Sequence, residues 1–140
     1  MRILFDTNVI LDVLLDREPF SSTAAKLFSK VETGEITGYI CATTITTLHY
    51  LTSKMIGADS AFEEINKLMM LFEVTPVNRA VLDAALSSGF KDFEDALQNY
   101  SAVKSGFVDV ILTRNIKDYS KSDTGVLTPE SYLKTLTANR

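Results

Sequence analysis

The chain has 140 residues, a formal net charge of −4 and one cysteine, with 46% hydrophobic and 23% charged residues. That length is one domain's worth and buries a core without disulfides or structural zinc, so residues 1–140 read as a single domain. No stretch approaches the roughly 20 apolar residues of a membrane span. Asp6 breaks the N-terminal apolar run that a secretion signal needs. Cys41 alone excludes an intrachain disulfide and thiolate-rich zinc sites and reads as a small buried hydrophobe, so a cytoplasmic protein is expected. The acid excess speaks against a generic basic nucleic-acid binder, but a carboxylate cluster is counted here before its cations.

In chain order, residues 2–6 form a short apolar run ending in an aspartate and read as a buried strand. A helical pattern follows, and Pro19 suits the first turn of a second helix running to about Val31, with Gly34 just past its end. Residues 38–42 give another strand. Residues 60–70 repeat apolar side chains at Ala61, Ile65, Leu68 and Met69, as a helix does. Residues 72–75 are a weaker strand candidate. Asn78 is placed to cap a helix carrying Val81, Leu82, Ala85 and Leu86. A helix over 91–105 precedes a strand at 109–113, a weaker strand at 125–127 and a last helix opened by Pro129. Strands alternating with helices predict an α/β fold in three layers, a central parallel sheet of about five strands with helices on both faces. Such sheets bind ligands outside the C-terminal ends of their strands.

Polar groups gather at those ends. The first strand stops at Asp6-Thr7-Asn8, where Asp6 reads equally as a helix cap or a ligand. The strand at 109–113 stops at Thr113-Arg114-Asn115, followed by Lys117 and Asp118, a grouping that also suits a plain turn. On the helix between them, a 100° period puts Asp92, Asp95, Ala96, Asn99 and Val103 on one face and Glu94, Gln98 and Ser101 on the other, with Glu94 solvated. Asp92 suits a helix start. Asp95 lies a turn in, where an ionised group on a packing face is costly unless paired or metal-bound. Asp6, Asp92, Asp95 and Asp118 thus converge from three segments. Arg114 and Lys117 offer pairing partners, and a divalent cation offers the alternative. Hard oxygen ligands suit Mg²⁺ or Mn²⁺, which activate water and clamp a phosphodiester under in-line attack.

Over nearly its whole length the chain resembles the PIN-domain family, the ribonuclease fold of VapC-type toxins. The resemblance rests on Phe5-Asp6-Thr7-Asn8-Val9-Ile10-Leu11-Asp12, on Asp92-Phe93-Glu94-Asp95-Ala96, and on Leu112-Thr113-Arg114-Asn115-Ile116-Lys117-Asp118-Tyr119. It implies five parallel strands with the first in the middle, and Asp6 and Asp95 as metal ligands. One departure stands out: where the family usually carries a glutamate after the second strand, this chain has Thr47, with no acid from Thr43 to Ile56. Asn115 likewise stands where many relatives have an aspartate, with Asp118 near enough to take part of its role. His49, the only histidine, reads as a core or half-exposed side chain.

The resemblance implies a Mg²⁺- or Mn²⁺-dependent endoribonuclease. Asp6, Asp92, Asp95 and Asp118 are its catalytic cluster, and Asp6 and Asp95 hold the metal. Thr7, Asn8, Thr113 and Asn115 orient water or the scissile phosphate, while Arg114, Lys117 and Lys121 contact phosphates. It also implies an RNA substrate, a small antitoxin as partner and a homodimer. The alternative is a degenerate PIN domain that binds RNA or protein without cutting. A phosphatase or receiver domain fits less well, because position 8 is Asn rather than a second acid.

Overall fold

A computed structural model describes residues 1–138. Five strands form one parallel sheet: β1 (Arg2–Phe5), β2 (Thr37–Cys41), β3 (Glu73–Thr75), β4 (Val110–Leu112) and β5 (Gly125–Leu127). Their order is β3-β2-β1-β4-β5, so the first strand lies in the middle as expected. The helices are α1 (Thr7–Leu14), α2 (Ser21–Glu32), α3 (Ala42–Ile56), α4 (Ala58–Leu71), α5 (Arg79–Leu86), α6 (Phe93–Ser105) and α7 (Pro129–Ala138), with a 3-10 turn at Ile116–Tyr119.

Alternation along the strands sorts the core into two faces. Ile3, Phe5, Ile40, Val110 and Leu112 pack with Val9 and Ile10 of α1, Leu27 of α2 and Tyr132 of α7. Leu4, Cys41 and Ile111 face the other way, onto Ala102 of α6 and Tyr119. The result is the three-layer arrangement. Phe5, Phe28 and Phe72 meet edge to face, with ring centroids 5.1–5.8 Å apart. This trio explains Gly38 within β2, since a Cβ there would lie 2.6 Å from the Phe72 ring.

Local signals mostly hold. The Asn78 side chain accepts from the Val81 N–H at 3.1 Å and caps α5. Gly106 ends α6 at φ 77°, the left-handed conformation that glycine adopts without strain. Pro19 does not open α2, which begins at Ser21 after a turn. Phe28 belongs to the core, whereas Phe62, Met69 and Met70 are exposed.

The phase assigned to α6 needs correction. Gln98 and Ser101, placed on its solvent face, are buried, as are Ala96, Leu97, Asn99 and Ala102. The helix packs against α5, α3, β2 and β3, so it has no single outward face over this stretch. Ser101 Oγ bonds Thr75 Oγ1 at 2.6 Å and the Pro76 carbonyl at 2.8 Å.

Candidate active site

The chain leaves β1 toward β2 and returns to β4 on β1's other side. This is a switch point, where strand ends diverge and leave a crevice. Here the Asp6 N–H donates to the Leu112 carbonyl at 2.9 Å, tying the end of β1 to the end of β4. A notch of about 350 Å³ opens above them. Asp6, Thr7, Asn8, Thr47, Asp92, Glu94, Asp95, Asn115 and Asp118 all reach it.

Asp6 occupies the cap position of α1, yet its side chain makes no capping hydrogen bond. Its carboxylate, 3% exposed, instead accepts from Thr113 Oγ1 at 2.7 Å and Gln98 Nε2 at 3.1 Å. Thr113 and Gln98, rather than a capping bond, therefore hold the Asp6 side chain. Burial raises its pKa, and hydrogen bonds from Thr113, Gln98 and the Asn8 and Thr7 backbone offset only part of that rise. Asp92 does cap α6, accepting from the Asp95 N–H at 2.9 Å. The Asp95 carboxyl is pushed up to about 7, first by burial and then by Asp6, Asp92, Asp118 and Glu94 around it. Asp118, in the 3-10 turn, is exposed at the notch.

Gln98 is the residue that the sequence reasoning missed. It is fully buried beneath the notch and joins Asp6, Thr7, Thr44 and Tyr119. Nε2 donates to Asp6 Oδ1 and to Tyr119 Oη, both at 3.1 Å. Oε1 accepts from the Thr7 N–H at 3.1 Å and from Thr44 Oγ1 at 3.3 Å. Tyr119 Oη lies 3.4 Å from Asp95 Oδ1, so Gln98 and Tyr119 bridge Asp6 to Asp95. Burial, then Asp6 and Asp95, raise the Tyr119 pKa and keep the phenol protonated. The usable signal was spacing: Gln98 lies three residues after Asp95 and four after Glu94, neighbouring positions on a helix.

Four further side chains, Glu94, Thr7, Thr113 and Arg114, differ from expectation. Glu94 is turned into the notch, accepting from Thr7 Oγ1 at 2.6 Å and from Thr47 Oγ1 at 3.4 Å. The hydroxyls of Thr7 and Thr113 are thus spent on carboxylates. Arg114 does not reach the notch. Its Nε lies 2.9 Å from Asp12 Oδ2, and its guanidinium stacks 4.0 Å from the centre of the Phe20 ring. Arg17 holds the other Asp12 oxygen at 3.0 Å. Lys117 lines a separate groove with Lys91 and Lys121 that shares Asp92, Asp95 and Asp118 with the notch. His49 packs on Phe62, ring centroids 4.3 Å apart, away from the acids.

Among the described residues no salt bridge reaches Asp6, Asp92, Glu94, Asp95 or Asp118. The acids line the notch without any three of them standing close enough to form a ready-made cation cage. Two carboxylates with water completing the shell is a common arrangement for Mg²⁺, and the hard-oxygen donors Asp6 and Asp95 fit it.

A family model described as PIN domain matches residues 2–117. No curated protein matches the chain. Among solved structures, DNA-bound VapBC from Salmonella typhimurium superposes with a TM-score of 0.69 at 14% identity, over 92% of this chain and 98% of that one. A toxin-antitoxin complex from Klebsiella pneumoniae gives 0.67 at 21%, over 91% and 97%. VapC20 of Mycobacterium tuberculosis, a sarcin-ricin loop cleaving toxin, gives 0.62 at 15%, over 78% and 86%. At these identities the superpositions establish the shared fold, and the family match supplies the rest: this chain belongs to the PIN domain family.

Proposed function

We propose that the protein is a Mg²⁺- or Mn²⁺-dependent endoribonuclease. The observation that carries this reading is the convergence of Asp6, Asp92, Asp95 and Asp118 at the switch point with no cationic side chain paired to them. Asp6 and Asp95 would hold the cation, with Asp92 and Asp118 completing the cluster directly or through waters. Bound there, such an ion supplies Lewis-acid activation of water and neutralises charge on the phosphodiester. Thr113 and Gln98 fix the Asp6 carboxylate, and the Tyr119 hydroxyl donates toward Asp95. Asn8 and Asn115, at the notch, orient water or the phosphate.

Lys117, with Lys91 and Lys121, borders the groove of about 700 Å³ that continues from the notch. These lysines contact phosphates flanking the scissile one, a role that Arg114 leaves to them. A single-stranded or looped RNA fits this layout, and one structural neighbour is a sarcin-ricin loop cleaving toxin. Two other neighbours are toxin-antitoxin assemblies, which supports a small antitoxin partner. A homodimer and a cytoplasmic setting complete the reading; among the described residues no helix is long and apolar enough to cross a membrane.

Thr47 favours a second reading, a PIN domain that binds without cutting. Mn²⁺-dependent cleavage of single-stranded RNA separates the two. Asp6→Asn and Asp95→Asn are each expected to abolish it, and full activity in either variant overturns the nuclease assignment. A folded wild type that takes up no Mn²⁺ at millimolar concentration in calorimetry supports the binding module.

A further inference from the structure

Glu94 is the notch acid to which the reading above gives no role. It stands in the first turn of α6, half-buried, facing the same space as Asp6 and Asp95. A glutamate on a helix surface lowers its energy by turning into water, the more so with like charges beside it. Here both of its oxygens are retained by hydroxyls from other helices. Thr7 of α1 bonds Oε1 at 2.6 Å, and Thr47 of α3 bonds Oε2 at 3.4 Å. Thr44 Oγ1, 3.0 Å from Thr7 Oγ1, steadies the first of these. The 2.6 Å bond has the length of a charge-assisted hydrogen bond, which fixes position. Support by α1 and α3 is more than a charge at a helix N-terminus needs.

We propose that Glu94 is a cation-holding carboxylate of the notch, acting through water, and that Thr47 and Thr7 are its positioning residues. This rests on the reading of the notch as a divalent-cation site. Thr47 thereby acquires a definite role, since α3 supplies the seat for an acid that α6 carries. The competing account makes Glu94 a helix-start residue whose bonds to Thr7 and Thr47 concern stability alone.

Calorimetric titration of the full chain with Mn²⁺, with circular dichroism to verify folding, separates the two. Glu94→Gln is expected to weaken Mn²⁺ binding about tenfold or more, and Thr47→Val several-fold, within the range seen when groups around a metal are removed. Adding Thr47→Glu to Glu94→Gln is expected to recover most of the affinity, because the new carboxylate enters beside the position left by Glu94. Binding within twofold of wild type in Glu94→Gln, alongside clear loss in Asp6→Asn, overturns the role of Glu94 and leaves the notch assignment standing. Absence of Mn²⁺ binding by the wild type overturns both. Should Glu94→Gln fail to fold, Thr47→Val decides, and unchanged affinity there overturns the proposal.

Discussion

Replacing Gln98 by leucine tests the claim that one buried amide organises the site. The two side chains are similar in size, so packing changes little and the hydrogen bonds carry the effect. The substitution removes a donor to the buried Asp6 carboxylate and leaves the Thr7 N–H without the Gln98 Oε1 acceptor. A hydrogen bond to a charged group is worth about 1.5–3 kcal/mol, and an orphaned buried donor costs about 1–3 kcal/mol. The expected loss is therefore about 3–5 kcal/mol, a large part of the stability of a domain this size. Urea denaturation followed by circular dichroism at pH 7 measures it directly. Gln98→Glu provides the control. It keeps the Oε1 acceptor but exchanges the amide donor for a carboxyl, which donates to Asp6 only while protonated. Its penalty should grow as pH rises, whereas that of leucine should vary much less. A leucine variant within about 1 kcal/mol of wild type would refute the reasoning, since that is the scale of a single ordinary hydrogen bond.

Metal-free protein should lose stability as pH rises from about 4 to about 7. The folded pKa of Asp95 is raised above the 3.8 of the unfolded chain to about 7, so its unfavourable term is absent below the lower value and complete above the higher. Before screening, a shift of that size corresponds to about 4 kcal/mol, and partial exposure reduces it to about 1–2 kcal/mol; Asp95→Asn should lessen this slope in pH-dependent thermal melts, leaving the part that the raised Asp6 contributes. Asp12→Asn strips the buried partner from Arg17 and Arg114 and should cost about 2 kcal/mol in denaturant titration, below the usual figure for a buried pair because both arginines are partly exposed. The same variant should leave Mn²⁺ affinity within about twofold, since Asp12 is not a notch residue. Tyr119→Phe removes one hydroxyl between Gln98 and Asp95 and should cost about 1 kcal/mol in stability, measured the same way.

The sheet was legible because buried parallel strands are continuous apolar runs, and 2–6, 38–42 and 109–113 are short enough to exclude helices. Asp6 was legible as a strand-end residue that could be cap or ligand, because the two share a sequence signature; the structure shows its carboxylate held by Thr113 and Gln98 with no side-chain capping bond. The helix carrying Asp95 misled for a physical reason. A two-faced wheel assumes that one side meets water, whereas α6 is enclosed by α5, α3 and the sheet. Polarity then ceases to report exposure, and Gln98 looks solvated while being fully buried. Arg114 misled differently. Its partner Asp12 lies 102 residues away, and no local pattern encodes that pairing.

The net charge takes on a different meaning once the notch is in view. Five of the eighteen acidic residues line it: Asp6, Asp92, Glu94, Asp95 and Asp118. The remaining thirteen face fourteen lysines and arginines, which leaves the rest of the chain at +1. The acid excess is therefore a local property. Arg17 and Arg114 are committed to Asp12 and do not dilute it. A polyanion meets strong repulsion at such a notch and attraction only from the lysines bordering the adjoining groove. On the proposed nuclease reading, a divalent cation would reverse that sign where a phosphate approaches, and bulk acidity would be compatible with a phosphodiester substrate because the charge that repels the substrate would also recruit the ion.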